Sequence, residues 1–467
     1  MKGVILLLVT SFVFSLAFSP KHRFSRRANV GFNSSLKNPD FAPHEHHFLQ
    51  KLDHFHLEND QKWIQRYWTY PTYYKKGGPA FLFINGEWSV KINWTIGYAE
   101  HWVSYAKDLN AYCFSLEHRF YGESWPAKEN MGYLSTQQAL ADIANFIQGV
   151  TEEFKLPKDI NWIVFGCSYA GMLATWARLK YPHLIHGAVA SSAPLLAKVD
   201  FGEYYQVVEQ SLKAHNPKCV ENIKLATTEI NRMLNHSDGR QNIANAFHFC
   251  SDRPKDITES VENLFSDLAA ILSEAVQYND TSEISIPIVC DIMMNHNGSK
   301  IQAFAELRKL YMRLDIDNED DSKESKTWDY QICSEFGYFQ SSSQTTGLFA
   351  GDHFPAKSLL KEKCEQFFGP HFSIENLHER IHHTNMIYGG LDINVGNVIF
   401  VHGSLDPWHV LGLHTRKNES LYKTVFIKGA SHCADVLPPA DNDIEALKNA
   451  RKEILDTLKG WLRKKST

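Results

Sequence analysis

The sequence predicts an α/β fold in which helices cover both faces of a mostly parallel sheet. Short apolar stretches alternate with stretches of helical periodicity, and most of the apolar stretches end in a turn of small or polar residues. This alternation is typical of parallel strands joined by crossover helices. The chain has 467 residues, of which 43% are apolar, so it can bury a large core and divide into two domains.

Strands are predicted at the apolar stretches 79–85, 111–116, 162–165, 186–191, 395–401 and 422–427. Helices are predicted at residues 136–154, 172–180 and 445–462. In the first helix, Leu140, Ile143 and Ile147 recur at a spacing that places them on one face. Residues 204–314 are polar and mostly helical in pattern, which predicts a helical cap inserted into the sheet domain, and residues 315–326 form a charged linker.

The chain is therefore divided into a leader, a sheet domain in two parts and a cap. The predicted segments are a signal peptide at 1–17, a leader at 18–45, the first part of the sheet domain at 46–196, the cap at 197–325 and the second part of the sheet domain at 326–467.

The N-terminus has the pattern of a secretory signal peptide. Lys2 precedes an uncharged apolar run over residues 3–18, and Ser15-Leu16-Ala17 is a small-residue cleavage site. The alternative, an uncleaved membrane anchor, needs ~20 apolar residues, whereas Pro20 and Lys21 end this run. Sequons for N-glycosylation support the secretory route and lie at Asn33, Asn93, Asn235, Asn279, Asn297 and Asn418. The net charge of −5 argues against a nucleic-acid partner.

Eight cysteines in a secretory chain predict disulfides. Three of them occupy positions that look unsuited to a bridge, and we expect these to be small core residues: Cys113, Cys167 and Cys433. The other five are Cys219, Cys250, Cys290, Cys333 and Cys364. Because five is odd, at most two bridges form among them unless one of the first three takes part.

Residues 162–176 carry the most informative pattern of the chain. An apolar strand is followed by a tight turn of small residues with Ser168 at its apex, and then by a helix. This is the nucleophile elbow of α/β-hydrolases, in which a strained turn projects the serine hydroxyl above the sheet. Gly166 and Gly171 suit the close approach of strand and helix, and Ala170 departs from the G-x-S-x-G pattern. An ordinary strand-to-helix turn is the alternative.

Two later turns supply the other members of a catalytic triad. Asp406 and His432 each follow a predicted strand, in the chain order Ser, Asp, His that this fold uses. Ser168 would be the nucleophile, His432 the general base and then acid, and Asp406 the group that orients the imidazole. The alternatives are a turn-forming Asp406 before Pro407 and a surface histidine, one of 23.

The backbone N–H groups of Tyr169 and Gly86 are the predicted oxyanion hole. The first follows the nucleophile, and the second lies in the Asn85-Gly86-Glu87 turn after an early strand. No metal or cofactor is expected. Histidine clusters at 44–47 and 382–383 occur without a zinc-binding or phosphate-binding motif, and they are more typical of a solvated surface.

Six motifs in order resemble one family. They are L-D-H-F at 52–55, W-I-Q-R-Y at 63–67, L-E-H-R-F-Y-G-E-S at 116–124, G-C-S-Y-A-G at 166–171, W-D-Y-Q-I-C-S-E-F-G-Y at 328–338 and G-S-L-D-P-W-H at 403–409. Over residues 46–465 the chain is similar to the serine peptidase family of lysosomal prolyl carboxypeptidase, dipeptidyl peptidase II and thymus-specific serine protease. The S-H-C-A-D stretch at 431–435 resembles the thymus-specific branch most.

The resemblance implies the same triad and adds substrate residues. It implies that Trp408 lines the pocket for a proline ring, which packs well on an indole face; plain core packing of Trp408 is the alternative. Glu87 matches a family position near the mouth of the active site. The resemblance also implies the disulfides Cys219–Cys290 and Cys333–Cys364, which leaves Cys250 without an obvious partner. The chain departs from the family at Cys167, where glycine is usual, and at Trp88, which replaces a small residue.

The predicted function is that of a serine peptidase, an exopeptidase that cleaves beside proline, in the lysosome or outside the cell. The expected partners are proline-containing peptides; no membrane span is expected after signal cleavage, and a homodimer is left open. An esterase or lipase on the same fold would need an apolar lid helix, for which the cap is too polar. A catalytically inactive binding protein is the third hypothesis, against which the presence of all three triad residues counts.

Overall fold

The computed structural model describes residues 43–90, 101–126, 130–248, 264–315, 322–342, 347–349, 353–415 and 420–463. The predicted signal peptide and most of the predicted leader lie outside these residues, as do Cys250 and three of the sequons, at Asn33, Asn93 and Asn418.

The strands of the described residues form one eight-stranded sheet and one two-stranded sheet. Their bounds are β1 His44–Lys51, β2 Lys62–Tyr70, β3 Ala80–Ile84, β4 Tyr112–Leu116, β5 Trp162–Cys167, β6 Ile185–Ser191, β7 Lys198–Asp200, β8 Gly337–Phe339, β9 Val398–Gly403 and β10 Lys423–Ile427. The large sheet has the order β1-β2-β4-β3-β5-β6-β9-β10, and only the pairs β1–β2 and β2–β4 are antiparallel. The predicted α/β-hydrolase fold with a mostly parallel sheet is confirmed.

The antiparallel strands β1 and β2 were not among the predicted strands. β1 has the sequence HEHHFLQK and is largely exposed, so it carries no apolar run. It is also the edge strand of the sheet. An edge strand with polar side chains satisfies half of its backbone groups by pairing and leaves the rest to water, which is why an apolar pattern does not reveal it.

The α-helices have the bounds α1 His101–Leu109, α2 Thr136–Glu153, α3 Tyr169–Lys180, α4 Glu203–His215, α5 Pro217–Leu234, α6 Ser237–Ala246, α7 Leu264–Gln277, α8 Ile286–Asn295, α9 Lys300–Asp315, α10 Ser322–Gln331, α11 Ala356–Leu360, α12 Gln366–Phe368, α13 Ile374–Tyr388 and α14 Glu445–Arg463. Helices α2 and α3 pack on one face of the large sheet, and α1 and α14 pack on the other. The described residues include no helix that is both long and apolar enough to cross a membrane.

The predicted domain bounds, with the cap at 197–325 and the second part of the sheet domain at 326–467, remain a prediction. After β6 the chain leaves the large sheet, and it returns only at β9, which begins at Val398. Between them the short strands β7 and β8 pair in parallel. Within the predicted linker at 315–326, the residues from Ser322 onward belong to α10. Charged side chains on an exposed helix produce the composition of a linker, so composition alone does not separate the two.

The parallel register brings the C-terminal ends of the central strands to one edge. Cys167 of β5 is opposite Ser191 of β6, which is opposite Val401 of β9. The loops that follow β5, β9 and β10 therefore begin side by side. Functional residues of open α/β sheets gather at this edge.

Candidate active site

The turn between β5 and α3 has the geometry of a nucleophile elbow. Ser168 lies between the two elements with φ 59° and ψ −127°, a conformation that non-glycine residues rarely adopt. A Cβ atom at Gly166 would lie 2.0 Å from the carbonyl oxygen of Ala170, and one at Gly171 would lie 2.8 Å from that of Ser191. The tight packing of the helix on the strands thus fixes the strained turn, and Ser168 remains partly exposed at its apex.

The loops after β9 and β10 bring an aspartate and a histidine together. The Nδ1 atom of His432 lies 2.8 Å from the Oδ1 atom of Asp406, and both side chains are buried. The backbone N–H of Trp408 also donates to this oxygen. Burial works to raise the pKa of Asp406, but the charge and hydrogen bond of His432 outweigh it and hold that pKa below its usual value. Asp406 is therefore a carboxylate that orients the imidazole.

The predicted triad is not closed by a hydrogen bond from Ser168 to His432. Nε2 of His432 is buried and has no hydrogen-bond partner within the described part of the chain. Catalytic hydrogen bonds are often long in unliganded enzymes and shorten when substrate binds. The free Nε2 is on the ring edge opposite the Asp406 contact, which leaves it available to take a proton.

Residues 429–437, which we call the histidine loop, are anchored from several directions. The backbone N–H of His432 donates to the carbonyl of Gln277 at the end of α7, and that of Ser431 donates to Asp280. The backbone N–H of Cys433 donates to Ser192 Oγ beyond β6. On the far side, the Arg451 guanidinium of α14 donates to the carbonyls of residues 434, 435 and 437. The cap and the sheet domain together fix the position of His432.

A disulfide joins this loop to the elbow. Cys167, the residue before Ser168, is bonded to Cys433, the residue after His432. This corrects the expectation that both are unbridged core residues. The signal was present in the sequence, because a triad of Ser168 and His432 necessarily brings their neighbours close. Two further disulfides, Cys219–Cys290 and Cys333–Cys364, are those that the resemblance implies, and buried Cys113 of β4 is not bonded.

The elbow and the loop after β3 lie against each other. A Cβ atom at Gly86 would lie 3.5 Å from the backbone nitrogen of Ala170. Tyr169 is the first residue of α3, where backbone N–H groups have no partner within the helix. The loop of Gly86 thus lies against the first turn of α3, and the N–H groups of Tyr169 and Gly86 remain the predicted oxyanion donors. The half-buried ring of Trp88 comes within 3.2 Å of the same Cβ position and covers this loop.

Of the two predicted substrate residues, Trp408 contacts Asp406 directly. Trp408 follows Asp406 by two positions, is half-buried, and donates its indole N–H to Gln277 Oε1 at 3.0 Å. Aromatic rings surround its indole, with ring centroids 5.3 to 5.8 Å away, at Phe201, Tyr204 and Tyr338. Glu87 is buried, and its charge adds to the effect of burial in raising the pKa of Tyr121 and Tyr169.

Two of the sequence motifs meet at the ring of Tyr169. His118 Nε2 lies 3.1 Å from the Tyr169 hydroxyl, and Gln331 donates its amide to the same oxygen. Trp328 and Phe336 pack against the ring. These contacts hold the first turn of α3, and hence the predicted oxyanion donor. Sequence reasoning did not assign these residues a role, nor Gln277, whose amide oxygen also accepts from Tyr204.

Three of the predicted glycosylation sites lie in the described residues. Asn235 and Asn297 are exposed. Asn279 is half-buried, and its Oδ1 accepts the backbone N–H of Ile286 while its amide nitrogen faces Asp280. All three remain predictions, and Asn279 is the one whose environment within the cap leaves a glycan the least room.

The cluster formed by Cys167, His432 and Cys433 has atoms close enough to ligate a metal. Both cysteines are in a disulfide, however, and a metal requires the thiolate. We therefore do not assign a metal to this cluster.

Glu335 gives the fold a pH dependence of a definite sign. Its carboxylate accepts hydrogen bonds from the backbone N–H and hydroxyl of Thr136 at the start of α2, yet burial raises its pKa to about 7. The folded state therefore holds a proton between about pH 4.5 and pH 7 that the unfolded state has lost. We expect this group to lower the stability progressively across that window as pH rises, by at most about 3 kcal/mol, because the side chain is partly exposed.

Urea unfolding of the protein and of Glu335→Gln, at about pH 5 and about pH 7.5, measures this effect. The amide keeps the acceptor for Thr136 but does not ionise, so the variant should lose less stability between the two pH values than the parent. Equal losses in the two proteins would contradict the assignment.

Comparison with known proteins finds a family model and relatives that match this chain. The family model described as "Serine carboxypeptidase S28" matches residues 50–454. The thymus-specific serine protease of Mus musculus is 32% identical over 91% of this chain and 89% of its own length. The lysosomal Pro-X carboxypeptidase of Homo sapiens is 28% identical over 89% of this chain and 88% of its own. Among solved structures, a lipase in its open form aligns with a TM-score of 0.37 and 12% identity over 91% of this chain and all of the other.

Proposed function

The chain belongs to the serine carboxypeptidase S28 family of serine peptidases, and from this premise we propose that it is an exopeptidase that cleaves peptide bonds beside proline. The nucleophile is Ser168, and the triad is completed by His432 and Asp406. The observation that carries the proposal is the buried His432–Asp406 hydrogen bond of 2.8 Å, in a loop covalently tied to the elbow of Ser168.

The reaction proceeds through an acyl-enzyme. His432 Nε2 takes the proton of the Ser168 hydroxyl as its oxygen attacks the carbonyl carbon. The N–H groups of Tyr169 and Gly86 donate to the resulting oxyanion. When the tetrahedral intermediate collapses, His432 passes its proton to the leaving amine and the peptide bond breaks. Water then attacks the ester carbonyl as His432 takes its proton, the bond to Ser168 Oγ breaks, and His432 returns the proton to Ser168. The Asp406 carboxylate stabilises the imidazolium each time.

Preference for proline is assigned to Trp408. Its side chain is fixed by Gln277 and by three aromatic rings, and its backbone N–H is bonded to Asp406 Oδ1. A rigid, flat indole held this close to the reacting groups offers an apolar face to a pyrrolidine ring. Proline also loses little conformational freedom when it binds, because its ring already fixes φ.

The secretory route and an acidic compartment are part of the proposal. Three disulfides are the mark of an oxidising environment. One of the relatives is described as lysosomal. Glu335, whose raised pKa makes the fold more stable in acid than at neutral pH, suits such a compartment.

A proline-scanning peptide library, incubated at acid and neutral pH and read by mass spectrometry, tests the function. We expect cleavage next to proline and at one terminus only, and none by the Ser168→Ala variant. Cleavage without regard to proline would leave a serine peptidase and remove the specificity. Hydrolysis of acyl esters without peptide cleavage would instead select an esterase on the same fold.

Replacement of Trp408 tests the pocket. We expect Trp408→Ala to lower kcat/KM for proline peptides by about 10- to 100-fold, because one apolar contact surface is lost. The rate of labelling by a small fluorophosphonate, which does not use the pocket, should change much less. Trp408→Phe keeps an aromatic face but loses the hydrogen bond to Gln277. Its kcat/KM for proline peptides should lie between the values of the parent and of Trp408→Ala. An equal loss on peptides with and without proline would show that Trp408 only packs the core.

A further inference from the structure

One disulfide lies at the junction of the nucleophile and the general base. Cys167 and Cys433 are 266 positions apart in the chain, and their Cα atoms are 5.9 Å apart. Each is the immediate neighbour of a proposed catalytic residue. We propose that the Cys167–Cys433 disulfide is a positioning element of catalysis, which holds His432 at a fixed place relative to Ser168; this inference rests on the proposed function.

The other anchors of the histidine loop are hydrogen bonds, and they run both to the cap and to β6 beside the elbow, where Ser191 Oγ donates to Asp435. Two hydrogen bonds, from Ser431 and His432, run to the C-terminal end of α7 and to Asp280, which belong to the cap. The bond from Cys433 runs to the residue after β6. A shift of the cap would therefore pull directly on the backbone of His432, against the hydrogen bonds that hold the loop to β6 and α14. The disulfide ties the loop directly to the strand that ends in the elbow and opposes such a shift.

The end of α7 also touches the proposed proline pocket. The Gln277 amide oxygen accepts the indole N–H of Trp408, while the Gln277 carbonyl accepts the N–H of His432. A substrate that displaces Trp408 can therefore displace Gln277 and, through its carbonyl, the backbone of His432, the proposed general base. Displacement of a catalytic group by about 1 Å can cost ~100-fold in rate. A covalent tie between the residues flanking Ser168 and His432 keeps the two in register while the cap accommodates a peptide.

Burial makes this tie permanent rather than switchable. The two cysteines are 3% and 0% exposed, and they pack with Val436 in a small cluster of their own. Cys433 has φ 56°, a backbone conformation that is costly for a side chain with a Cβ atom. The bond is therefore shielded from reductants in the solvent.

The test compares two variants that each remove one buried disulfide. Cys167→Ala/Cys433→Ala removes the proposed tie. Cys219→Ala/Cys290→Ala removes the bond between α5 and α8, which carry none of the proposed site residues. We expect the first to lower kcat by about 100-fold with KM within about 3-fold, and to slow fluorophosphonate labelling of Ser168 to a similar degree. The second should keep kcat within about 3-fold of the parent.

Thermal midpoints, measured in parallel, separate positioning from stability. Rates are taken well below the lowest midpoint, so that every variant is folded. The inference would be overturned if Cys167→Ala/Cys433→Ala folds and has the kcat of the parent. It would also be overturned if the loss of kcat in each variant only parallels the fall of its thermal midpoint. If the alanine pair does not fold, Cys167→Ser/Cys433→Ser repeats the comparison with side chains closer in size and polarity. Peptidase activity of the unmodified protein tests the proposed function. The ratio of kcat in the variant to kcat in the parent tests this inference separately.

Discussion

Substitution of Ser168 by alanine should abolish turnover while leaving the fold intact. We expect kcat to fall on the order of 10⁶-fold, the loss that follows removal of the nucleophile from a triad enzyme. The hydroxyl makes no helix-capping hydrogen bond. The strained backbone at this position is imposed by the close packing of Gly166 and Gly171 and does not depend on the side chain. The thermal midpoint of Ser168→Ala should therefore be close to that of the parent.

Labelling by a fluorophosphonate gives the direct readout, because the reagent forms a covalent bond with an activated serine alone. The parent should be labelled at Ser168 and the variant should not. The matched control is Ser104→Ala, which changes an exposed serine of α1, on the face of the sheet opposite to α3. This variant should be labelled like the parent. Cleavage of proline peptides by Ser168→Ala at the rate of the parent would exclude Ser168 as the nucleophile.

The fold and the main residues of the candidate site could be predicted from the sequence because both depend on local signals. Buried parallel strands are continuous apolar runs, and the turns that follow them carry the reacting residues. Strand β5 and the elbow were evident on this basis, and so were the positions of Asp406 and His432. The edge strand β1 could not be predicted in this way, because its residues are polar and its pairing with β2 depends on residues that are not neighbours in the sequence.

The supporting contacts were beyond sequence reasoning for a different reason. Gln277 belongs to the cap, and no local pattern indicates that its carbonyl faces His432 or that its side chain holds Trp408. Such contacts depend on how an insertion docks on the sheet. The Cys167–Cys433 bond was within reach, since the triad hypothesis already implied the proximity of the two residues. Each cysteine was instead judged by its own segment, where a bridge looked awkward.

Substitution of Asp406 by asparagine should lower kcat by about 10⁴-fold without unfolding the protein. The amide has the size of the carboxylate, and its oxygen can still accept the backbone N–H of Trp408. The same position faces His432 Nδ1, so an amide that turns its NH₂ group there instead gives up the Trp408 hydrogen bond and donates to Nδ1. The imidazole proton then moves to Nε2, the atom that must take the proton of Ser168, and the negative charge that stabilises the imidazolium is gone.

The same change at a neighbouring anchor separates charge at the triad from charge near it. Asp280 accepts two hydrogen bonds from Ser431 of the histidine loop, and Asp280→Asn keeps an oxygen acceptor for them. We expect Asp280→Asn to lower kcat by less than about 10-fold. The measurement is kcat from about pH 4 to about pH 9 for the parent, Asp406→Asn and Asp280→Asn. Because the pKa of Asp406 is held below its usual value, the parent should keep this carboxylate ionised further into acid than an ordinary aspartate. Equal losses in the two variants would mean that Asp406 acts only through the general field of the loop, and an Asp406→Asn variant as active as the parent would remove it from the triad.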